Sequence, residues 1–597
     1  MGSPTLFRPQ EELAPVQLVV MGLRICLVTP FAWSQPHDVN EHVRGSAAAL
    51  RRLGHEVTVL APSSRPSDLL AGRQVIETGG RADVIALGPA LPISRRSRMG
   101  VPVGVRANLS LALATGLYDV VHGFEPGLPS LSYLALRDAQ ALAVATFFSP
   151  ERLSYPPGRT QRERLLARVD ALLATSAEVA EAATERFPGD YTLVPLGVDT
   201  ELFRPAPEPL LRIVLEWRAV ERPLLRAALH ALEELPDWEL VLLRMKPLSG
   251  RPSVPRSLRD RVTVTPGFDS AVRAPILNAA AIFVPAPGGM PRLSLEAAAA
   301  GAAVAHPREV EEQPELAIAE MARLAEDGGF RAGRAAEGRA EAEGQSFAAL
   351  AASLDRVYRD LASRRRSRRT SDPLAERDWI LCDLHMHTSW SHDCGIPVAE
   401  LLDHAEAEGL GAIAVTDHNA LGGALEAVEL ARGRSLAVIP GEEVKTDGEG
   451  EVIGLFLSEE IPSGLPFAET VAAIRAQGAI VYVPHPFDRL HAIPDAATLQ
   501  RHLAEIDVFE VYNARLLFET YNDEALRFAR KYNLTAGAGS DAHVLQGVGT
   551  GALRMRAFEG PEEFLLSLRT AQVLRRPKSL ALLQSLKWVA QVKEKVR

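Results

Sequence analysis

Residues 383–395 read DLHMHTSWSHDCG. Three histidines and two aspartates stand between Asp383 and Asp393, after the apolar run Trp379, Ile380, Leu381. In a strand, residues i and i+2 share a face, so His385 and His387 point the same way at the end of WILCDL. The same ending recurs down the chain. AIAVTDHN carries Asp417 and His418, LAVIPGEEV carries Glu443, AIVYVPHP carries His485, and LTAGAGSDAH carries Asp541 and His543. Helix-length segments such as PVAELLDHAEAEGL lie between these runs. Parallel strands alternating with helices can close into a barrel, and chemistry then collects at the C-terminal ends of the strands. Five strand ends converging on one rim would assemble a multinuclear metal site from distant segments. Its ligands mix imidazole and carboxylate without thiolate, which suits Zn, Mn or Fe rather than a structural cysteine site. The isolated His404, His491 and His502 are read as surface or satisfied residues, and Cys382 and Cys394 as core and loop positions.

The chain has 597 residues, 47% hydrophobic and 23% charged, with a formal net charge of −10. That length suggests three or four domains, and the acidic balance argues against general nucleic-acid binding. Three scattered cysteines, Cys26, Cys382 and Cys394, suit a reducing compartment. No transmembrane or secretory segment is read, so the expectation is a cytoplasmic protein. Residues 1–20 read as a loose extension.

Before the metal-type motifs come two sets of strand–helix–strand units. The first holds LRICLVT, GHEVTVLAP, YDVVHGFEP, LAVATFFSP, DALLATS and TLVPLGVD. After the Pro-rich break FRPAPEPLLR, the second holds LRIVLEW, WELVLLRM, RVTVTPGF and AAIFVPAP. These sets predict two Rossmann-like domains with a cleft between them, 21–203 and 204–362. Residues 346–362 form an amphipathic helical pattern. SRRRSRRTSDP then marks a basic linker, 363–378, ahead of the barrel, 379–597. The final stretch SLALLQSLKWVAQVKEKVR has helical spacing. It is read as a helix on the barrel, with a membrane-surface helix at the inner face as the rival reading.

The motifs HMH, TDH, VPHP and GSDAH resemble those of the PHP family (polymerase and histidinol phosphatase) over residues 379–597. The resemblance implies a distorted β/α barrel, two or three divalent metal ions and phosphoester hydrolysis. It implies that His385, His387, Glu443 and Asp541 hold one metal, that Glu443 bridges to a second held also by His485, and that Asp393, His418 and His543 hold a third. His392 and Asp393 compete for one of these places, with Asp393 preferred. Some members carry a histidine about eight residues past the bridging glutamate. Here that position is Glu451, which implies a weakly held second metal. Glu443 and His485 are the expected catalytic residues. Arg489 and Arg515 are candidate phosphate contacts for a phosphorylated small molecule, nucleotide or glycoconjugate.

Residues 23–362 resemble the two-Rossmann (GT-B) glycosyltransferases of the phosphatidylinositol-mannosyltransferase type, through RICLVTPFAW, LRRLGHEVTVLAPSS, PSLSYLALRDAQALAVATF, VPLGVDTELFRP and LEAAAAGAAV. Against that pattern, the loop after the first strand reads SQPHDVN without glycine, Phe148 stands where a histidine is usual, and Gly288 where a glutamate is usual. Arg218 and Glu296 remain as candidate contacts to a nucleotide sugar. No lysine follows Arg218 in WRAVERP, and losing several donors and charges aimed at one diphosphate sugar, each worth roughly 3–4 kcal/mol, implies a module that binds a nucleotide-sugar or lipid ligand without transferring sugar. The favoured reading is a phosphoesterase with a degenerate glycosyltransferase-like module. An active retaining glycosyltransferase and a non-catalytic ligand-binding scaffold are the rivals.

Overall fold

A computed structural model describes residues 22–92, 98–100, 105–218, 222–245, 252–287, 289–305, 314–365, 372–489 and 493–576. The N-terminal extension, Arg366, Arg368 and Arg369 of the basic linker, His491, Gly288 and the final helical stretch lie outside them. Among the described residues, no helix is long and apolar enough to cross a membrane.

The first sheet contains β1 (Arg24–Val28), β2 (Glu56–Ser63), β3 (Val84–Pro92), β4 (Arg98–Gly100), β5 (Val120–Phe124), β6 (Leu142–Phe147), β7 (Ala171–Ala174) and β8 (Tyr191–Leu193), in the order β4-β3-β2-β1-β5-β6-β7-β8. Every pairing is parallel except β3 with β4. The order reverses direction between β1 and β5, the place where open α/β sheets put their clefts. Helix Asp38–Arg52 follows β1. Its first turn holds Asp38 and Glu41, and its last holds Arg51 and Arg52, which complements the helix dipole at both ends. The second sheet contains β9 (Arg212–Trp217), β10 (Glu239–Arg244), β11 (Val262–Pro266), β12 (Ile282–Val284) and β13 (Ala303–Val304), ordered β11-β10-β9-β12-β13 and parallel throughout.

The amphipathic pattern at 346–362 is the helix Phe347–Ser363, capped by Ser346 Oγ accepting from the Ala349 amide. It crosses back onto the first sheet, where Tyr358 Oη meets the buried His122 Nδ1 at 2.6 Å. Leu350, Leu354 and Leu361 join the core beneath β1 and β2.

The third sheet contains β14 (Trp379–Asp383), β15 (Ala412–His418), β16 (Ala437–Lys445), β17 (Glu451–Leu455), β18 (Ile480–Val483), β19 (Val508–Asn513), β20 (Thr535–Gly539), β21 (Gly551–Arg556) and β22 (Gln572–Arg575). It is a nearly closed barrel. Beyond β14 and β20 the chain pairs across the gap: the Asp541 amide donates to the His385 carbonyl at 2.7 Å, and the His387 amide to the Ala542 carbonyl at 3.1 Å. Strand β17 departs from the parallel pattern, running antiparallel to both β16 and β18, and β21 and β22, joined through the helix Gly560–Leu568, add an antiparallel pair at the edge of β14. This is the distortion of the barrel.

The barrel meets the first sheet base to base. Lys531 Nζ, buried, lies 2.7 Å from Asp170 Oδ2 and donates to the Arg168 carbonyl at 2.6 Å. Tyr532 Oη also donates to Asp170. Arg365, in the segment read as a linker, pairs with Asp119 at 2.9 Å and reaches Asn533 at 3.5 Å. Asp119, Asp170 and Asn533 each stand just before a parallel strand. The C-terminal ends of both sets of strands therefore point away from this junction.

Candidate metal centre

The strand ends deliver their side chains to one place. Gly539 explains part of how: a Cβ there would lie 2.3 Å from His385 Cβ, so glycine lets the two strand ends approach. His485 and Asp541 have φ of +27° and +52°, left-handed values that cost a non-glycine residue about 1–3 kcal/mol. Each of these turns carries its side chain inward.

Glu443, on β16 and 1% exposed, is the hub. Its Oε2 lies 3.3 Å from His385 Nε2, 3.5 Å from His387 Nε2 and 3.1 Å from His418 Nδ1, and its Oε1 lies 3.0 Å from His485 Nε2. Asp541 Oδ1 lies 3.5 Å from His387 Nε2. Asp393 Oδ2 lies 3.0 Å from His543 Nε2, and its Oδ1 lies 3.7 Å from His418 Nε2. The His392 ring lies tilted beside His418, 5.4 Å between ring centroids. Four sets of three ligand atoms fall within 4.8 Å of one another: His387, His418, His543; His385, His485, Asp541; His385, His387, Glu443; and His418, Glu443, Glu451.

Burial alone would lower the His385 pKa, but Glu443, Asp541 and Glu510 outweigh it and raise it well above the ordinary value. Burial would raise Glu443 and Asp541, yet the imidazoles around Glu443, and Arg515 with His385 beside Asp541, hold both carboxyls well below theirs. Burial, with His543 close by, holds His387 neutral. His387 Nε2 is buried without a hydrogen bond while facing two carboxylates. A neutral imidazole lone pair aimed between carboxylates fits a divalent cation.

The sequence reading missed the supports behind these groups. Glu510 Oε1 lies 3.2 Å from His385 Nδ1 and accepts from Tyr482 Oη at 2.8 Å, and its Oε2 accepts from the His485 amide at 2.7 Å. Asp417 accepts from Thr388 and from Ser391 Oγ, and Ser391 Oγ lies 3.1 Å from His387 Nδ1. These contacts orient the imidazoles and leave their Nε2 atoms facing the carboxylates. A charged residue within the apolar strand VFEVYN was the signal for Glu510.

Of the two candidate phosphate contacts, Arg515 reaches the centre, with Nη1 3.0 Å from Asp541 Oδ1 and 3.4 Å from His543 Nε2. Arg489 is exposed on the turn after His485.

The cleft of the N-terminal half is built differently. Arg218 donates to the Pro287 carbonyl at 2.7 Å. Glu296, expected at a nucleotide sugar, is fully buried, and both its oxygens are held by Arg273 at 2.5 and 2.6 Å. Arg273 also grips Glu41 of the first domain, at 2.5 Å, and Arg292 lies 3.3 Å from Glu296. Glu296 thus takes part in a link across the cleft through Arg273. Phe148 packs edge-on against His42 at 4.8 Å.

The Glycosyltransferase Family 4 model matches residues 39–202, the PHP domain model residues 383–527, and the PHP-associated model residues 519–573. An uncharacterized protein of Methanocaldococcus jannaschii is 34% identical over 211 residues, 33% of this chain and 84% of that protein. A phosphatidyl-myo-inositol mannosyltransferase of Propionibacterium freudenreichii is 30% identical over 208 residues, 34% of this chain and 52% of the enzyme. The chain thus spans about half the length of that mannosyltransferase. A pneumococcal O-GlcNAc transferase structure aligns with 57% of this chain and 99% of its own, at 10% identity and a TM-score of 0.40.

Proposed function

Since the chain belongs to the PHP family over residues 383–527 and to Glycosyltransferase Family 4 over residues 39–202, we propose that it is a metal-dependent phosphoesterase joined to a glycosyltransferase-like module that binds or targets. Residues 379–597 form the hydrolytic unit in this reading, and 21–203 with 204–362 form the binding module. The substrate is a phosphorylated small molecule, nucleotide or glycoconjugate, and the setting is cytoplasmic.

The observation that carries the reading is the convergence of imidazoles and carboxylates on Glu443 from separate strand ends. In this reading His385, His387, Glu443 and Asp541 would hold one divalent ion, Glu443 and His485 a second, and Asp393, His418 and His543 a third. When bound, such ions activate water and neutralise charge on a phosphoryl group. Glu443 faces His485 through one oxygen and His385 and His387 through the other, so it can join two cations. Arg515 stands beside Asp541, where its guanidinium can receive a phosphoryl oxygen and orient the ester. Glu510 fixes the ring of His385 from behind. The N-terminal half keeps its cleft closed by its own ion pairs, which supports binding or targeting of a nucleotide-sugar or lipid ligand at its surface rather than a transfer cycle.

The test is Glu443→Gln in the full chain. The amide keeps the volume and loses the charge, so phosphate release from a panel of phosphorylated metabolites should fall at least about a hundred-fold with the melting transition retained. Turnover near that of the wild type would remove Glu443 from the bridging role.

A further inference from the structure

We propose that Glu451 is itself a metal ligand, and that it makes the second metal position carboxylate-rich and selective for Mn over Zn. The inference rests on the metal reading above and adds a residue to it.

Glu451 opens β17, the strand that runs antiparallel to β16. In their register Glu443 pairs with Ile453 and Lys445 with Glu451. Side chains directly opposite, and those two residues along, share one face of a sheet. Glu451 therefore stands on the face of Glu443, one step nearer the rim. The connection that sets this is tight: the Thr446 amide and hydroxyl both donate to the Gly450 carbonyl, at 2.9 and 2.7 Å. Gly450 has φ +98°, and a Cβ there would lie 2.4 Å from Pro494. The turn thus holds Glu451 in place.

Glu451 Oε2 lies 3.6 Å from His485 Nε2, and its carboxylate falls within 4.8 Å of ligand atoms of both Glu443 and His418. Two carboxylates brought this close in a largely buried site, sharing the His485 and His418 rings, favour a divalent cation between them. His485, buried, faces both of them through one nitrogen. The second position then offers Glu443, Glu451 and His485, two oxygen ligands to one nitrogen. The first offers two imidazoles and two carboxylates, and the third offers two imidazoles and one carboxylate. Carboxylate-rich sets suit Mn, whereas imidazole-rich sets suit Zn. A strongly held second ion replaces the weak hold expected from the loss of a histidine at this position.

The test is metal content by elemental analysis, with no activity readout. Full-length wild type, Glu451→Gln and Glu451→His are stripped, dialysed against equimolar Mn and Zn, and measured after gel filtration. Wild type should carry both metals. Glu451→Gln should lose Mn selectively, binding it at least about ten-fold more weakly, with its Zn content kept. Glu451→His should restore the total with Zn in place of Mn. A Glu451→Gln protein with the wild-type content and Mn-to-Zn ratio overturns the assignment of Glu451 alone. A wild type that holds neither metal overturns the metal reading and this inference together. Circular dichroism on each variant separates ligand loss from unfolding, and Glu451→His distinguishes a ligand role from a structural one if Glu451→Gln is unstable.

Discussion

Two clusters of buried charge sit at the C-terminal ends of parallel strands in this chain, and they are solved in opposite ways. In the cleft of the N-terminal half, Glu41 and Glu296 flank Arg273, and every member finds its counter-charge within the protein. On the barrel rim, Glu443, Asp541 and Asp393 face imidazoles, with Arg515 at one side. An arginine is always charged and closes its network permanently. An imidazole has a lone pair to give, and a ring of them around carboxylates is closed by a cation from outside. The difference separates a locked structural joint from a site whose donors could hold metal.

That contrast can be broken by removing the arginine. Arg273→Met should leave the buried carboxylates Glu41 and Glu296 with Arg292 alone, 3.9 and 3.3 Å away, and cost up to about 3–5 kcal/mol in denaturant unfolding of the N-terminal half. Adding Glu41→Gln and Glu296→Gln should recover much of the loss, because neutral amides tolerate burial better. Metal content of the barrel should not change in either protein. If Arg273→Met proved neutral, the cleft would not be locked by these charges.

A smaller effect is expected at the junction between the halves. Lys531→Met removes the ammonium held by Asp170 and the Arg168 carbonyl, a loss of about 1.5–3 kcal/mol for hydrogen bonds to a charged group. Asp170 still accepts from the Ala143 amide at 2.7 Å. Hydrogen exchange should speed up across the helix Glu519–Tyr532 and into β20, while phosphoesterase turnover stays unchanged. Unaltered exchange would mean that the two halves hold together elsewhere.

A further test is a pH dependence in the N-terminal half. Burial raises the Glu125 carboxyl from 4.5 to about 8, against the pull of Arg152 3.0 Å away. The folded state thus binds a proton that the unfolded state has released, and stability should fall as pH rises from about 4.5 to about 8. Glu125→Gln should flatten that slope. A slope that persists in the variant assigns it to another group.

Much of the barrel was legible because its ligands announce themselves locally. An i, i+2 pair such as His385 and His387 shares a face whatever the tertiary structure, and five strands ended in metal-type residues. The reversed direction of β17 was less obvious, since EVIGL looks like any buried strand. Its sign was the connection: residues 446–450 are too few for a parallel crossover, which needs a dozen or more. Glu510 was missed because its partner, His385, lies 125 residues away. The ion-pair network around Glu296 was hidden for a similar reason. The family spacing marks where a ligand contact belongs, but the arginine that engages it, Arg273, carries no local mark. Arg365 reads as one of a basic run, and only folding brings it to Asp119.

The central claim is that the rim cluster is completed by cations. The most direct measurement is elemental analysis of the full-length protein purified without chelators, repeated after stripping and reloading with Mn or Zn. At least two transition-metal ions per chain are expected, with both recovered on reloading. Less than one per chain, and none regained, would contradict the account.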